Sequence, residues 1–177
     1  MQYIGNYAEW IDPAFIDYML NNEGKHWPDQ FPKAIKRSFA NKSPTYYPYT
    51  ESLCQMYIKN EVPFKFTPPI ELQGRFYWWA IKMYPGNMLP MHHDYDDVPT
   101  ERLDEAVNYW MPLQDYTDGH IFVFDNVLMK DYKKGDLFKH GFKEMHGICN
   151  IGFTPRLSLN FTDFPLWPGE TEESEDD

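Results

Sequence analysis

The chain has few of the features that mark secreted, membrane-bound or metal-knot proteins. Only two of its 177 residues are cysteines, Cys54 and Cys149, and no CxxC or Cys/His pattern surrounds them, so the sequence predicts neither a disulfide framework nor a zinc knot. No apolar run approaches the roughly 20 residues that a membrane-spanning helix requires, and the first residues lack the basic and apolar regions of a secretory signal. We therefore expect a cytoplasmic protein with no membrane segment.

Positive charge is also scarce. The chain has 16 Lys and Arg residues against 27 Asp and Glu residues, a formal net charge of −11. Six acidic residues lie in the last eight positions, so the rest of the chain carries −5. No basic cluster is longer than Lys133-Lys134, and an acidic surface repels phosphate backbones, which argues against nucleic acid as the main partner.

Segment 169–177 is too polar to offset its ordering entropy, and we expect it to be disordered.

What the chain does have is a large apolar and aromatic content. Hydrophobic residues make up 42% of the sequence and aromatic residues 18%, enough for a substantial core. A chain of this length fits one domain, which we place at residues 1–168. Within it we expect an N-terminal helical part at about 1–68 and a β core at about 69–164.

The N-terminal part is predicted to contain two helices. Asp12 is a suitable N-cap, a proline follows it, and an apolar repeat at helical spacing then runs as far as Gly24. The repeat consists of Phe15, Ile16, Met19 and Leu20. Thr50 can cap a second, short helix that runs through Leu53, Met56 and Tyr57.

After Pro68-Pro69 the sequence becomes rich in β-branched and aromatic residues between turn signals. Short strands joined by turns rather than by helices favour a closed barrel or jelly roll over a βαβ sheet. The expected fold is therefore mainly β with N-terminal α-helices, a double-stranded β-helix (jelly roll, cupin-like). The predicted strands are 75–84, 108–113, 120–124, 127–132, 136–139 and 155–161.

The sharpest local feature is the run Met91-His92-His93-Asp94. In an extended strand, residues two apart project to the same face, so His92 and Asp94 can bind one ion together while His93 points away. A metal bound by one imidazole and one carboxylate still needs a third protein ligand, and two histidines with one carboxylate leave positions open for substrate and O2. The candidates for this third ligand are His26, His120, His140 and His146.

A strand with an unusual polar face favours His146 as the third ligand. Arg156 follows His146 by ten residues, and the alternation in strand 155–161 places it on one face with Ser158 and Asn160. An inward guanidinium is costly unless it meets an anion, and its planar fork matches a carboxylate, with Ser158 adding a hydrogen bond. The pattern therefore implies a dicarboxylate ligand.

The other histidines fit this pattern less well. His140 is the main competitor of His146, but it is offset from the spacing to the arginine and lies in a more polar stretch. His120 begins an apolar strand, and we expect it to be a hydrogen-bonded structural residue.

Together these residues resemble the Fe(II)/2-oxoglutarate-dependent dioxygenases. The matching motifs are HxD at 92–94, a distal histidine at His146 and R-x-S at 156–158. Scattered residues between 116 and 156 also resemble small oxygenases commonly encoded by bacteriophages, so the cytoplasm is that of the host if the protein is viral. The turn Tyr84-Pro85-Gly86 and the run 92–95 are similar to prolyl 4-hydroxylases. The resemblance covers residues 75–162.

This resemblance implies an enzyme, a hydroxylase, in which His92, Asp94 and His146 bind Fe(II). It also implies that Arg156 and Ser158 hold the distal carboxylate of 2-oxoglutarate, with Tyr84 as a further contact, and that ascorbate stimulates turnover. The expected substrate is a free or peptidyl amino-acid side chain or a small metabolite, hydroxylated with release of succinate and CO2. Prolyl hydroxylases usually have lysine where Arg156 stands, so a prolyl substrate is not implied.

Two other functions fit the same features. One is a non-enzymatic jelly-roll binding module, in which the acidic tail and the aromatic surface would matter. The other is a metal-dependent, cupin-type isomerase or hydrolase, in which the three ligands persist and the arginine binds a different anion. The HExxH motif is absent, which argues against a zinc protease.

Overall fold

A computed structural model describes residues 1–26, 54–92 and 105–165. Three features of the sequence prediction lie outside these ranges: Asp94, the predicted helix start at Thr50, and the acidic segment 169–177. None of the helical segments within the ranges has both the length and the apolar character that a membrane crossing requires.

The strands within the described ranges form two antiparallel sheets. The large sheet has the order β1-β9-β6-β11-β4-β3-β2, and the small sheet has the order β5-β10-β7-β8. The strands are β1 (Gln2–Asn6), β2 (Lys25–His26), β3 (Gln55–Ile58), β4 (Gly74–Met83), β5 (Met88–His92), β6 (Val107–Pro112), β7 (His120–Phe124), β8 (Val127–Leu128), β9 (Asp136–His140), β10 (His146–Asn150) and β11 (Arg156–Pro165).

Strands β4 to β11 form a jelly roll. The chain passes back and forth between the sheets, so that β4, β11, β6 and β9 lie side by side in the large sheet and β5, β10, β7 and β8 in the small one. This interleaved order of eight antiparallel strands is the arrangement of two Greek keys. The predicted jelly-roll architecture is confirmed by the strand order, and we call the space between the two sheets the barrel interior.

The predicted strands correspond to observed ones, with differences at their ends. The largest differences are at β8, which covers only Val127–Leu128 of the predicted range 127–132, and at β11, which extends to Pro165 beyond the predicted end at 161. The turn between β7 and β8 is formed by Asp125 and Asn126, whose φ angles are 46° and 64°. Two successive positive φ angles match the twist of a two-residue hairpin, and Asp and Asn tolerate them better than most residues.

One of the two predicted N-terminal helices is present. Helix α1 (Pro13–Asn21) begins after Asp12, whose side chain accepts a hydrogen bond of 2.8 Å from the backbone N–H of Ala14. The second predicted helix is wrong, because Gln55–Ile58 form β3, with all four residues buried. A short apolar run of this kind fits a buried strand as well as a helix, and pairing with β4 selects the strand.

The large sheet separates two hydrophobic clusters. The outer cluster lies between this sheet and α1, and the interior cluster lies between the two sheets. The outer cluster includes Phe15, Met19, Tyr57, Trp78, Leu157, Leu159 and Phe161. The interior cluster includes Cys54, Ile81, Met83, Leu89, Trp110, Phe122, Phe124, Tyr132 and Ile148.

Candidate functional site

Strand β11 carries a polar face into the barrel interior. Its outward residues Leu157 and Leu159 belong to the outer cluster. The alternate residues Arg156 and Ser158 pair with the interior residues Met83 and Ile81 of β4 and are 1% and 0% exposed. The alternation that the sequence predicted for this strand is therefore present, and it buries a guanidinium inside the jelly roll.

Aromatic rings surround the Arg156 guanidinium. Its central carbon lies 5.6 Å from the ring centroid of Trp110 and 5.8 Å from that of Phe122. Burial lowers the pKa of Arg156, whereas the Tyr132 hydroxyl raises it through its electrostatic interaction with the cation and through a side-chain hydrogen bond that is too distorted to meet normal geometry. Even so, none of the three guanidinium nitrogens makes a hydrogen bond of normal geometry with a described residue.

The Ser158 hydroxyl is also buried without a normal hydrogen bond. Its Oγ is fully buried and has no hydrogen-bond partner among the described residues. A buried polar group without a partner costs about 1–3 kcal/mol, and more when it is charged. Arg156 and Ser158 together supply a cationic fork and a hydroxyl donor, which fit a bound carboxylate.

Two histidines face each other on neighbouring strands of the small sheet. His92 on β5 pairs with His146 on β10, and their ring centroids are 4.3 Å apart. The two side chains are 6% and 8% exposed. His146 Nδ1 lies 3.1 Å from the backbone carbonyl oxygen of Glu144, which can only accept, so Nδ1 is the donor of this hydrogen bond.

His140 joins this pair from the opposite sheet. It ends β9 of the large sheet, and its ring centroid lies 5.4 Å from that of His146 and 5.2 Å from that of Phe124. Its Nδ1 lies 3.1 Å from the carbonyl oxygen of Gly141, to which it donates. The sequence treated His140 as a competitor of His146, whereas the structure brings both into one cluster across the barrel interior.

The third predicted metal ligand, Asp94, follows His92 by two positions and lies outside the described residues. Within residues 1–26, 54–92 and 105–165, no group of three His, Cys, Asp or Glu side chains is arranged to hold a metal ion. The described part of the chain therefore contributes two adjacent imidazoles, His92 and His146, to the predicted site.

His120 has the structural role that the sequence predicted for it. Its Nε2 donates to the carbonyl oxygen of Thr154 at 3.0 Å, and its Nδ1 lies 3.3 Å from Nε2 of Gln114. Burial is the main cause that lowers the pKa of His120, and the nearby Arg156 lowers it further. Both ring nitrogens are occupied, so His120 is not available as a metal ligand. The remaining candidate, His26, lies on β2 at an edge of the large sheet.

Tyr84 lies apart from the Arg156 pocket. It follows β4, is 38% exposed, and its ring centroid is 5.0 Å from Nζ of Lys82. Lys82 alternates with the interior residue Met83 and therefore belongs to the outer face of the large sheet. The structure thus brings Arg156 and Ser158 together but does not bring Tyr84 to them.

Both cysteines are free thiols near Arg156. Cys54 is buried, and burial raises its pKa to about 12, although the charge of Arg156 acts in the opposite direction. Burial also raises the pKa of Cys149. The thiols are therefore protonated at neutral pH, which agrees with a packing role rather than a nucleophilic one.

Two further donors of the barrel interior were not singled out from the sequence. Trp110 Nε1 and Asn160 Nδ2 are buried and have no acceptor among the described residues. The alternation of β11 places Asn160 on the same face as Arg156, so the sequence could have identified it as an interior donor. Trp110 carried no such signal, because an aromatic residue in an apolar strand predicts a core position.

No protein-family model matches the chain. No curated protein matches it either. Several solved structures are similar to it. A protein with a double-stranded β-helix domain from Klebsiella pneumoniae has 12% identity over 63% of this chain and 76% of its own, with a TM-score of 0.41.

Two other solved structures have comparable similarity. The Cnp3 cupin domain from Schizosaccharomyces pombe has 17% identity over 63% of this chain and 64% of its own, with a TM-score of 0.39. The non-heme α-ketoglutarate-dependent epimerase SnoN of nogalamycin biosynthesis has 15% identity over 52% of this chain and 48% of its own, with a TM-score of 0.44. At such scores the likenesses carry no functional information, and the fold assignment rests on the strand order.

Proposed function

We propose that the protein is an Fe(II)- and 2-oxoglutarate-dependent dioxygenase. The observation that carries this proposal is Arg156, a guanidinium buried inside the jelly roll without a hydrogen-bond partner among the described residues. A single buried cation of this kind calls for an anion, and the adjacent Ser158 and the flat walls of Trp110 and Phe122 favour a small carboxylate.

In this proposal Arg156 binds the distal carboxylate of 2-oxoglutarate through two parallel N–H donors. Ser158 donates a further hydrogen bond to the same group. The apolar side chains of the interior cluster exclude water, which strengthens these charged contacts and fixes the orientation of the acid. The other end of the acid then extends toward the histidine pair.

His92, His146 and Asp94 would hold the iron. The hydrogen bond that His146 Nδ1 donates to the carbonyl oxygen of Glu144 fits an imidazole that would bind the metal through Nε2, with its ring held in one orientation. Iron at this position would supply the activation of O2. The balanced reaction consumes 2-oxoglutarate, O2 and one C–H bond and yields succinate, CO2 and a hydroxyl group, with one oxygen atom going to succinate and the other to the substrate.

Metal binding gives the first test. The purified protein should bind one Fe(II), or one Mn(II) as an inert substitute, and His92→Ala, Asp94→Ala and His146→Ala should each abolish stoichiometric binding, since two remaining ligands compete poorly with water. His140→Ala is the matched control and should retain the metal. Loss of metal in the His140 variant together with retention in the His146 variant would move the site to His140.

Dependence on Arg156 gives the decisive test. Succinate formation should require 2-oxoglutarate, and Arg156→Leu should raise the apparent KM for 2-oxoglutarate while metal binding survives. Losing a buried charged contact costs about 2–5 kcal/mol, a factor of tens to thousands in affinity. Arg156→Lys should fall between the two, because lysine keeps the charge and loses the fork.

The same measurements separate the alternative functions. If Arg156→Leu binds 2-oxoglutarate as well as the parent protein does, the cosubstrate assignment is wrong. Metal binding without any response to 2-oxoglutarate would then favour a metal-dependent isomerase or hydrolase. A protein that binds neither metal nor the acid would be a binding module. The substrate is best sought by mass spectrometry of cell extract incubated with the enzyme, Fe(II), ascorbate and 2-oxoglutarate.

A further inference from the structure

Strand β5 contains one more residue than the stretch of β10 with which it pairs. Ile148 pairs with Leu89 and His146 pairs with His92, so two steps along β10 correspond to three steps along β5. Over the same residues β10 pairs with β7 without interruption, so the extra residue belongs to β5. Strand β5 therefore contains a one-residue β-bulge just before His92.

Two residues of β5 form this bulge. Pro90 and Met91 together lie opposite the single residue Gly147 of β10. Proline within a sheet is confined to edge strands, strand starts and bulges, and β5 is an edge strand of the small sheet. The sequence of β5 is therefore compatible with an interrupted ladder at this point.

The bulge determines the face of β5 on which His92 lies. Leu89 belongs to the interior cluster, and residues three apart in a regular strand project to opposite faces. His92 would then point out of the barrel. Instead its ring centroid lies 4.3 Å from that of His146, which lies 6.2 Å from that of the interior residue Phe124. The extra residue thus turns His92 into the barrel interior.

Gly147 provides the space for the bulge. Its φ is not positive, so the backbone conformation at this position does not itself require glycine. A Cβ here would lie 2.8 Å from Sδ, 3.0 Å from the backbone N and 3.2 Å from Cα of Met91. The thioether can move aside, but the backbone atoms can yield only if β5 moves. Glycine is therefore needed because the two strands approach closely.

We infer that Gly147 and the bulge at Pro90 and Met91 are positioning elements of the histidine pair, His92 and His146. The bulge turns His92 toward its partner, and the missing side chain at Gly147 makes the bulge possible. These residues act through the imidazoles and not by contact with a metal. As a role in metal binding this inference rests on the proposed function, but the arrangement of the imidazoles can be measured without metal.

Nuclear magnetic resonance of the metal-free protein tests this arrangement. The parent should show nuclear Overhauser effects between the ring protons of His92 and His146, because their ring centroids are 4.3 Å apart. Gly147→Val should lose these effects. Strand β5 must then either leave β10 or pair with it regularly, which places Met91 opposite His146 and turns His92 outward. The amide spectrum outside β5 and β10 should match that of the parent.

Deleting Met91 should restore the histidine pair in Gly147→Val. The deletion removes the extra residue, so β5 can pair regularly with His92 still opposite His146. A regular pair has room for a valine side chain, because opposed Cβ atoms lie about 4.5–5.5 Å apart. The deletion alone should also keep the Overhauser effects. A glycine needed only for folding would not be rescued by shortening the neighbouring strand.

Gly5→Val is the matched control. Gly5 also lies at a bulge, on the edge strand β1 of the large sheet, and its φ is not positive either. This variant should keep the Overhauser effects. Titration with Mn(II) extends the comparison to metal: Gly147→Val should weaken binding about 10- to 100-fold, as expected when a ligand loses its support. Gly5→Val should not, and deletion of Met91 should recover most of the loss in Gly147→Val.

The outcomes distinguish this inference from the proposed function. The inference is wrong if the metal-free parent lacks the Overhauser effects, if Gly147→Val keeps them, or if deletion of Met91 alone abolishes them. If Gly147→Val does not fold, Gly147→Ala decides the case, because its methyl group displaces β5 by only a few tenths of an ångström and should weaken the effects. If the parent shows them and binds no Mn(II), the proposed function fails and the positioning stands.

Discussion

Two buried cations lie almost side by side in the large sheet, and their surroundings differ completely. Lys82 pairs with Leu157, and Arg156 pairs with Met83, so the two cations are one register pair apart on the β4–β11 ladder. Both are 1% exposed. Because side chains alternate along a strand, Lys82 lies on the outer face and Arg156 in the barrel interior.

The outer cation finds its partners in the protein backbone. Lys82 Nζ donates to the carbonyl oxygens of Met19 and Asn22, each at 2.6 Å, at the C-terminal end of α1. The ring of Tyr57 lies 5.4 Å from the same nitrogen. A cation at this end of a helix satisfies terminal carbonyls and interacts favourably with the helix dipole.

The contrast separates a buried cation that the protein backbone satisfies from one that it does not satisfy. The fold can satisfy a buried charge with its own carbonyls, and at Lys82 it does so. Arg156 is surrounded by the rings of Trp110 and Phe122, has the Tyr132 hydroxyl nearby, and makes no hydrogen bond of normal geometry with a described residue. An orphaned charge next to a satisfied one is therefore a better indicator of a ligand than burial alone.

Removing the outer cation should have the largest effect on stability. Lys82→Met keeps the aliphatic stem and removes the donor from two helix-terminal carbonyls, which we expect to lower the free energy of unfolding by about 3 kcal/mol. Urea unfolding followed by circular dichroism measures this change. Lys82→Arg should recover part of it. If the urea concentration at the unfolding midpoint is unchanged in Lys82→Met, Lys82 does not stabilise the fold and the contrast with Arg156 is wrong.

Removing the inner cation should abolish stabilisation by the ligand instead. At 2-oxoglutarate concentrations about 30-fold above Kd, the parent protein should gain about 2 kcal/mol of stability, seen as a rise in Tm. Arg156→Met should lose this gain. Without ligand its stability should equal or exceed that of the parent, because replacing an unpaired buried charge by an apolar side chain relieves its desolvation cost. A strongly destabilised Arg156→Met would show that Arg156 is structural as well.

The smallest expected effect is on the pH dependence of stability and concerns His120, whose pKa is lowered in part by the charge of Arg156. Its pKa in the folded protein lies below the ordinary 6.5, so the unfolded chain binds a proton first as the pH falls. The stability linked to His120 is therefore fully present above pH 6.5 and is lost as the pH falls toward the folded-state pKa. His120→Gln should flatten this part of the stability curve, measured by thermal unfolding at a series of pH values. If the stability of the parent and that of His120→Gln change in the same way with pH, the lowered pKa of His120 is contradicted.

The sequence predicted that Arg156 and Ser158 share one face of β11, because residues two apart on a strand project to the same side. It was less informative where the pattern was short. Gln55–Ile58 is a run of four residues without a visible period, so its strand depends on pairing with β4. The approach of His140 to His146 depends on how one sheet packs on the other, which no local pattern encodes.

The ladder between β4 and β11 has a consequence for how the protein folds. It joins the first and the last strands of the jelly roll over ten residue pairs. Such non-local pairing requires closure of a long loop and makes folding slow. Because Arg156 lies on the last strand, a chain still being synthesised on the ribosome exposes the apolar inner faces of β4 and β6 until that strand emerges. The pocket around Arg156 is then completed when β11 inserts between them.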